Sequence, residues 1–172
     1  YIEEFDFSIL LDTSVNTLQR SFKNASIEIK NETSLKFDGD LFPHFADIFF
    51  YLLHNALKHS RLPSEHLELK INITNDSDYV TIGISNNVLN DEEYISQLKE
   101  RVIKTKKILG DPKLTEKIIN KEGGTGFPKI KKALSQNLGR KDYGIHISIN
   151  QEGDNAIFNA IISFEFKDLL KN

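Results

Sequence analysis

Four short segments in which apolar and polar residues alternate restrict the fold of this chain most strongly. They are residues 67–73, 80–84, 145–149 and 158–164. Successive side chains of a β-strand point to opposite faces, so the alternation predicts strands with one buried and one solvated face. A polar turn at 75–78 joins the first two segments, and another at 152–155 joins the last two. The pattern therefore predicts two antiparallel hairpins in a sheet that is covered on one face.

Amphipathic helices before and between these strands supply the cover. One contains Leu11 and Phe22, the strongest runs from Leu41 to Ala56, and another follows Pro128. A short strand is predicted at residues 26–30. Interleaving of helices with hairpins predicts an α+β fold, a two-layer sandwich whose mixed, mostly antiparallel sheet packs on helices. The 172 residues suit a single domain spanning 1–172, which we expect to be excised from a longer protein.

The strongest helix carries a polar face beside its apolar stripe. Tyr51, Asn55, Lys58 and His59 are spaced to lie on one side of it. An amide carbonyl is a ligand that Mg²⁺ accepts, and a lysine attracts phosphate. A solvated polar face with a buried asparagine explains the same spacing, and taken alone the pattern favours that interpretation.

Two other segments carry weaker signals. Asn86 ends the strand through Ile82 and Ile84, where its amide is placed either to bind a base edge or to begin a turn. The segment Gly124, Thr125, Gly126 and Phe127 precedes a helix. Such a loop either cradles phosphate with its backbone amides or acts as a hinge.

Together, in this order and spacing, the three segments resemble the N, G1 and G2 boxes of GHKL (Bergerat-fold) ATP-binding domains. This family includes gyrase, MutL, the large heat-shock chaperone and sensor histidine kinases. Residues 55–60, Asn-Ala-Leu-Lys-His-Ser, are similar to the histidine-kinase form of the N box. Residues 124–127, with Ile130 and Leu134 behind them, are similar to the kinase G2 box in register. The resemblance covers nearly the whole chain.

The resemblance implies a role for each matching residue. Asn55 would coordinate the Mg²⁺ that bridges the phosphates of ATP, Lys58 would contact phosphate, and His59 would place its ring against the nucleoside. Asn86 would accept from the adenine amino group. Gly124 and Gly126, with Thr125 and Phe127, would form the backbone cradle that follows the lid.

The lid itself would be the polar stretch of residues 87–123. Its composition predicts few apolar anchors and low local stability. Its cations are candidates to close on the phosphates, and they are Arg101, Lys104, Lys106 and Lys107.

The chain departs from the family pattern at several positions. Tyr51 stands where an acid or amide is usual, and His54 stands where some kinases have an acid. Asn86 replaces the G1 aspartate, Val88 a glycine, and Pro128 a residue with a backbone N–H. A site that lacks the acid has no obvious general base for hydrolysis.

We therefore expect the ATP-binding catalytic domain of a sensor histidine kinase, which binds Mg-ATP and presents the γ-phosphate to a histidine. That histidine would lie on a phosphoacceptor helical hairpin elsewhere in the parent chain, which we expect to form a homodimer. One alternative is a degenerate module that binds ATP or ADP and senses nucleotide without kinase activity. Another is a serine kinase of the anti-sigma type.

Composition excludes several other classes. The chain has no cysteine, which removes disulfides, thiolate metal sites and cysteine nucleophiles. Its net charge of −3 predicts no bulk attraction to nucleic acid or to an anionic membrane. No apolar run approaches the ~18 residues of a membrane span. We expect a cytoplasmic domain without direct membrane contact, in a parent that is itself free to be membrane-anchored.

Overall fold

The computed structural model describes residues 2–119 and 126–171. Its strands are β1 Glu4–Phe5, β2 Ser26–Asn31, β3 Phe37–Asp38, β4 Glu68–Asn75, β5 Tyr79–Val88, β6 Tyr143–Glu152 and β7 Asn155–Glu165. Its α-helices are α1 Phe7–Ser21, α2 Phe42–Lys58, α3 Glu92–Gly110, α4 Pro112–Ile119 and α5 Gly126–Lys132. A π-helical turn, Ala133–Asn137, extends α5.

Five strands form the main sheet in the order β2-β4-β5-β7-β6. β4 with β5 and β6 with β7 are the predicted hairpins, and β5 pairs with β7 between them. Only the edge strand β2 runs parallel to its neighbour, β4. The predicted fold class, an α+β sandwich with a mixed, mostly antiparallel sheet, is therefore confirmed.

The helices cover one face of this sheet, as the alternation predicts. Along β5, Val80, Ile82 and Ile84 are buried against the helical layer, while the residues between them are partly exposed. α2 contributes the widest buried stripe of the layer, from Phe45 to Leu57. α1 begins at a sequence-encoded cap, because the carboxylate of Asp6 accepts hydrogen bonds from the backbone N–H groups of Ser8 and Ile9.

A cluster of phenylalanines closes the sandwich at the N-terminal end of α2. Phe5, Phe7, Phe37 and Phe45 pack with ring centroids between 4.9 and 5.9 Å apart. The backbone comes very close beside this cluster, since a Cβ on Gly39 would lie 1.6 Å from the carbonyl oxygen of Ile2. This approach explains why the turn before α2 contains a glycine.

The segment predicted as a lid is more ordered than its polar composition suggests. Residues 87 and 88 do not belong to it, because they pair with Ile157 and Ala156 as the end of β5. The rest of the described segment forms α3 and α4, which are separated at Asp111 as the Asp-Pro pair predicts. Residues 120–123 of the predicted lid lie outside the described residues.

No helix within residues 2–119 and 126–171 combines the length and the apolar character that a membrane span requires.

Candidate functional site

A cavity of about 520 Å³ opens between α2, α3, α5 and the sheet. Its polar and glycine lining comprises Asn55, Lys58, His59, Arg101, Lys104, Thr105 and Gly126. Its apolar lining comprises Val102, Ile108, Ile118, Phe127, Ile147 and Phe158. The cavity brings together five of the residues predicted from the motifs, although they are up to 72 positions apart in the chain. Its walls are apolar, and every charged residue among those described in its lining is a cation. This is the composition of a site for an organic anion.

Asn55 and Gly126 meet in the lining of the cavity, where α2 contacts α5. A Cβ built on Gly126 would lie 2.4 Å from Nδ2 and 2.8 Å from Oδ1 of Asn55. A larger residue at this position would therefore displace the amide. The Nδ2 of Asn55 is buried, and among the described residues it has no hydrogen-bond partner. Buried polar groups are seldom left unpaired in native proteins outside functional sites.

The end of α2 places one cation and one neutral ring in the cavity. The helix ends at Lys58, and His59 is its C-cap, so the single helical face predicted through His59 stops one residue short. Burial lowers the pKa of His59 to about 4, with further lowering by the neighbouring charges of Arg101, Lys58, His54 and Arg61. His59 therefore offers an uncharged, flat side chain at neutral pH.

The predicted lid cations on α3 do not all face the cavity. Arg101 and Lys104 line the cavity, whereas Lys106 borders a different groove on the opposite side of the helix. Among the described residues, no acidic side chain lines the cavity. The arrangement favours a bound polyanion over a cationic or neutral ligand.

The first turns of α3 are fixed to the end of α2. Tyr94 is buried, and its hydroxyl donates to the carbonyl oxygen of His59 at 2.7 Å. The guanidinium of Arg61 lies 4.1 Å from the centroid of the Tyr94 ring. Ile95 and Leu98 are buried in the core, whereas Ile103 is 67% exposed. Only the later part of α3 therefore has the sparse anchoring that was predicted for the whole lid.

Asn86 lies next to the cavity without lining it. Its side chain faces the helical layer with those of Ile82 and Ile84, as the strand register predicts, and the residue is 2% exposed. It pairs across the sheet with Phe158, which does line the cavity. Its Nδ2 donates to the carbonyl oxygen of Asn87 at 2.8 Å, and its buried Oδ1 has no partner in the described chain. The hydrogen bond from Nδ2 therefore fixes the orientation of the amide and leaves its Oδ1 as an acceptor.

Phe127 is the last of the motif residues that the structure places. It is 8% exposed, its ring centroid is 6.4 Å from that of Phe158, and both rings line the cavity. Gly124 and Thr125, predicted as part of the cradle, lie outside the described residues.

Lys129 is a component of this region that the sequence motifs did not indicate. It lies on α5, one turn beyond Gly126, and its Nζ is 5.3 Å from the centroid of the Tyr51 ring. Tyr51 lies one turn before Asn55 on α2. The position at which the resemblance leads one to expect an acid or an amide therefore has an aromatic ring with a cation over it. No spacing rule connects residues 51 and 129, so only the packing of α2 on α5 shows the pair.

Residues 7–166 match the protein family described as "y4jQ C-terminal putative histidine kinase domain". No curated protein matches the sequence.

Solved structures of histidine kinases share the fold at low sequence identity. The nucleotide-free catalytic domain of histidine kinase ThkA is 17% identical, with a TM-score of 0.60 over 94% of this chain and 95% of that chain. The mycobacterial sensor histidine kinase MprB is 12% identical, with a TM-score of 0.60 over 95% and 98% of the two chains. The Acinetobacter baumannii histidine kinase AdeS is 14% identical, with a TM-score of 0.57 over 96% and 67%. Identities this low establish the fold alone.

Proposed function

Since this chain belongs to the family of y4jQ C-terminal putative histidine kinase domains, we propose that it binds Mg-ATP in the cavity between α2, α3, α5 and the sheet. The γ-phosphate would then be presented to a histidine on another domain of the parent protein. The observation that carries the proposal is the cavity itself, which gathers Asn55, Lys58, His59 and Gly126 around one space. Taken separately, these residues also fit a solvated helix face or a hinge loop. Their convergence on one cavity fits a nucleotide site.

The residues present suit ATP and its metal. The Nδ2 of Asn55 is buried, has no hydrogen-bond partner in the described part of the chain and lies against Gly126, where only hydrogen fits. An asparagine held in this way can offer its carbonyl oxygen to Mg²⁺ that reaches the site with the nucleotide. Among the described residues, no group of His, Asp and Glu is arranged to hold a metal without the nucleotide. The metal would supply charge neutralisation on the phosphates.

Three cations of the cavity would hold the polyphosphate. Lys58 approaches from the end of α2, and Arg101 and Lys104 approach from α3. Arg101 and Lys104 are the two of the four predicted lid cations that line the cavity. Their charge would stabilise the negative charge that spreads over the transferred phosphoryl group.

The neighbourhood of Asn55 favours transfer over hydrolysis. Tyr51 and Lys129 lie where an acid or amide is usual, and neither carries a carboxylate that could accept a proton from water. We propose that the proton acceptor for transfer lies on the domain that carries the phosphoacceptor histidine. The enzyme would then be inactive without that domain. The family membership does not favour the alternative of a nucleotide-sensing module without kinase activity.

Asn86 would recognise the base. Its Oδ1, which has no partner within residues 2–119 and 126–171, is an acceptor, and the exocyclic amino group of adenine is a donor. The neutral ring of His59 and the rings of Phe127 and Phe158 supply flat apolar surface for the nucleoside. Because ATP is a cytoplasmic substrate, the proposal implies that this domain works in the cytoplasm.

Calorimetric titration of the chain with ATP, with and without Mg²⁺, tests the proposal. We expect Asn55→Ala to weaken Mg-ATP binding by about tenfold or more, the scale on which metal sites respond to a lost oxygen ligand or its support. Binding of metal-free ATP should fall much less. Asn16→Ala, which removes an exposed amide on α1, is the matched control and should leave both affinities unchanged.

Equal losses with and without Mg²⁺ would remove Asn55 from the metal role while leaving the cavity as a nucleotide site. Failure of the unaltered chain to bind ATP at millimolar concentrations under either condition would overturn the proposal.

A further inference from the structure

The positive charge of this chain is concentrated in one segment. Residues 101–141 contain 12 of the 22 Lys and Arg residues but three of the 25 Asp and Glu residues. The remainder of the chain carries ten basic and 22 acidic residues. The net charge of −3 therefore hides one strongly basic segment of the chain. The nucleotide cavity uses only part of that basic charge.

A second concave surface lies in this basic region. It is an open groove of about 550 Å³ between the C-terminal end of α3, α5 and the start of β6. Its lining residues are Lys106, Leu109, Gly110, Lys131, Lys141, Tyr143, Ile145 and His146. α3 separates it from the nucleotide cavity, because Lys104 and Ile108 face the cavity whereas Lys106 and Leu109 face the groove.

Lysines line the rim of this groove, and in the described part of the chain no acidic residue pairs with them. No acidic side chain lines it, and within residues 2–119 and 126–171 none of Lys106, Lys131 and Lys141 forms an ion pair. Lys131 donates from Nζ to the backbone carbonyl of Leu109 at 2.5 Å, which fixes one cation at the end of α3. Like charges held together without acids repel one another, so the arrangement gains stability when an anionic partner is present.

The floor of the groove is apolar. Leu109, Tyr143 and Ile145 are half-buried between the cations, so they leave apolar surface in contact with water. A bare phosphate, a nucleic-acid backbone or a flat membrane surface would satisfy the rim and leave this floor uncovered. An extended acidic peptide that carries an apolar side chain would satisfy both.

We propose that this groove docks an acidic segment of a protein partner and that an apolar side chain of that segment sits on Leu109, Tyr143 and Ile145. The interaction is separate from nucleotide binding, because α3 presents different residues to the two spaces. Its electrostatic part should weaken with added salt, since Lys106 and Lys141 are exposed.

The test measures binding of the 172-residue chain to a fluorescein-labelled peptide of alternating Asp and Glu with two central leucines, followed by fluorescence anisotropy. Lys106→Gln/Lys141→Gln should weaken binding about tenfold at low ionic strength, because two exposed charge pairs with the peptide are lost. Lys23→Gln/Lys30→Gln removes the same charge from exposed positions far from the groove and should leave binding near the unaltered level. Replacement of the peptide's leucines by serine should also weaken binding.

Three further measurements make the result decisive. Lys106→Arg/Lys141→Arg, which keeps the charge, should restore peptide binding, and all variants should melt at similar temperatures and bind ATP with equal affinity. Equal losses in the groove and control variants would overturn the proposal. So would tighter binding to phosphatidylserine vesicles or to an oligothymidylate than to the peptide, because a membrane or a nucleic acid would then be the better partner.

Discussion

The two ends of the helical layer bury their residues in opposite ways. At the N-terminal end of α2, Phe45 packs among other phenylalanine rings that need no hydrogen bonds. At the C-terminal end, the proposed site contains a desolvated histidine, His59, and two amides, Asn55 and Asn86, that each have one buried atom without a partner in the described residues. Both ends belong to one continuous core, and both cover the same sheet.

The difference shows which end stabilises the fold and which is available for chemistry. Burial of aromatic surface is favourable without further conditions, whereas burial of an unpaired amide costs free energy until a partner arrives. A site prepared for a ligand keeps that cost in the free protein and recovers it on binding. Substitutions at the two ends should therefore change different measurements.

The largest effect on stability should come from the aromatic end. Phe45→Ala removes a fully buried ring from the phenylalanine cluster, and we expect a loss of about 3–5 kcal/mol in the free energy of unfolding, measured by urea denaturation. Phe50→Ala, at a position that is 52% exposed on the same helix, is the matched control and should cost far less. In the fraction that remains folded, ATP affinity should be unchanged for both variants. Similar losses for the two variants would show that the cluster has no special part in stability.

The next effect should appear in binding and not in stability. Gly126→Ala forces the amide of Asn55 to move, because the new Cβ would lie 2.4 Å from Nδ2. The displaced group is the end of a side chain, so the fold should tolerate the change while Mg-ATP affinity falls about tenfold to a hundredfold. The double variant with Asn55→Ala should lose little more than either single variant, because both act on one amide. Additive losses in this cycle would separate the roles of the two residues.

A third effect should appear as a pH dependence of stability. The pKa of His59 is about 4 in the folded chain and 6.5 ordinarily, so the unfolded chain binds more protons between these values. The free energy of unfolding should therefore fall as the pH drops from about 6.5 to 4, by about 1–2 kcal/mol from this residue after a discount for its partial exposure. His59→Gln should remove this part of the acid sensitivity, and His66→Gln at an exposed position should not. Unfolding curves at pH 7 and pH 4.5 test the expectation, and parallel losses in all three proteins would contradict it.

The smallest effect should appear in two measurements at once, the stability of the free protein and its affinity for ATP. Asn86→Asp supplies a charged acceptor for the adenine amino group and should tighten ATP by about 1 kcal/mol. GTP presents a carbonyl there and should gain nothing, so the ratio of the two affinities should rise. The same change should destabilise the free chain, since it buries a carboxylate that has no partner. Asn87→Asp, one residue on and on the opposite face of β5, is the control. An unchanged ratio would show that Asn86 does not contact the base.

Local patterns in the sequence were sufficient to predict the fold class. The alternation in residues 67–73 and 80–84 predicted β4 and β5, and the stripe from Leu41 to Ala56 predicted α2. They also predicted that Asn86 shares a face with Ile82 and Ile84, because a strand's period of two determines the face of every residue in it. The lid was predicted less well, because polar composition does not show that Tyr94, Ile95 and Leu98 are buried.

The sequence by itself therefore determined the hairpins and α2, the face of Asn86 in β5 and the family that the chain resembles. Only the tertiary structure decided that Gly126 lies against Asn55, that Lys129 lies over Tyr51, and that α3 turns Lys104 to the cavity and Lys106 away from it. Periodicity acts within one element, through side chains three or four residues apart in a helix or two apart in a strand. Contacts between elements depend on how two surfaces pack, and that is settled by the shape and volume of side chains distant in sequence.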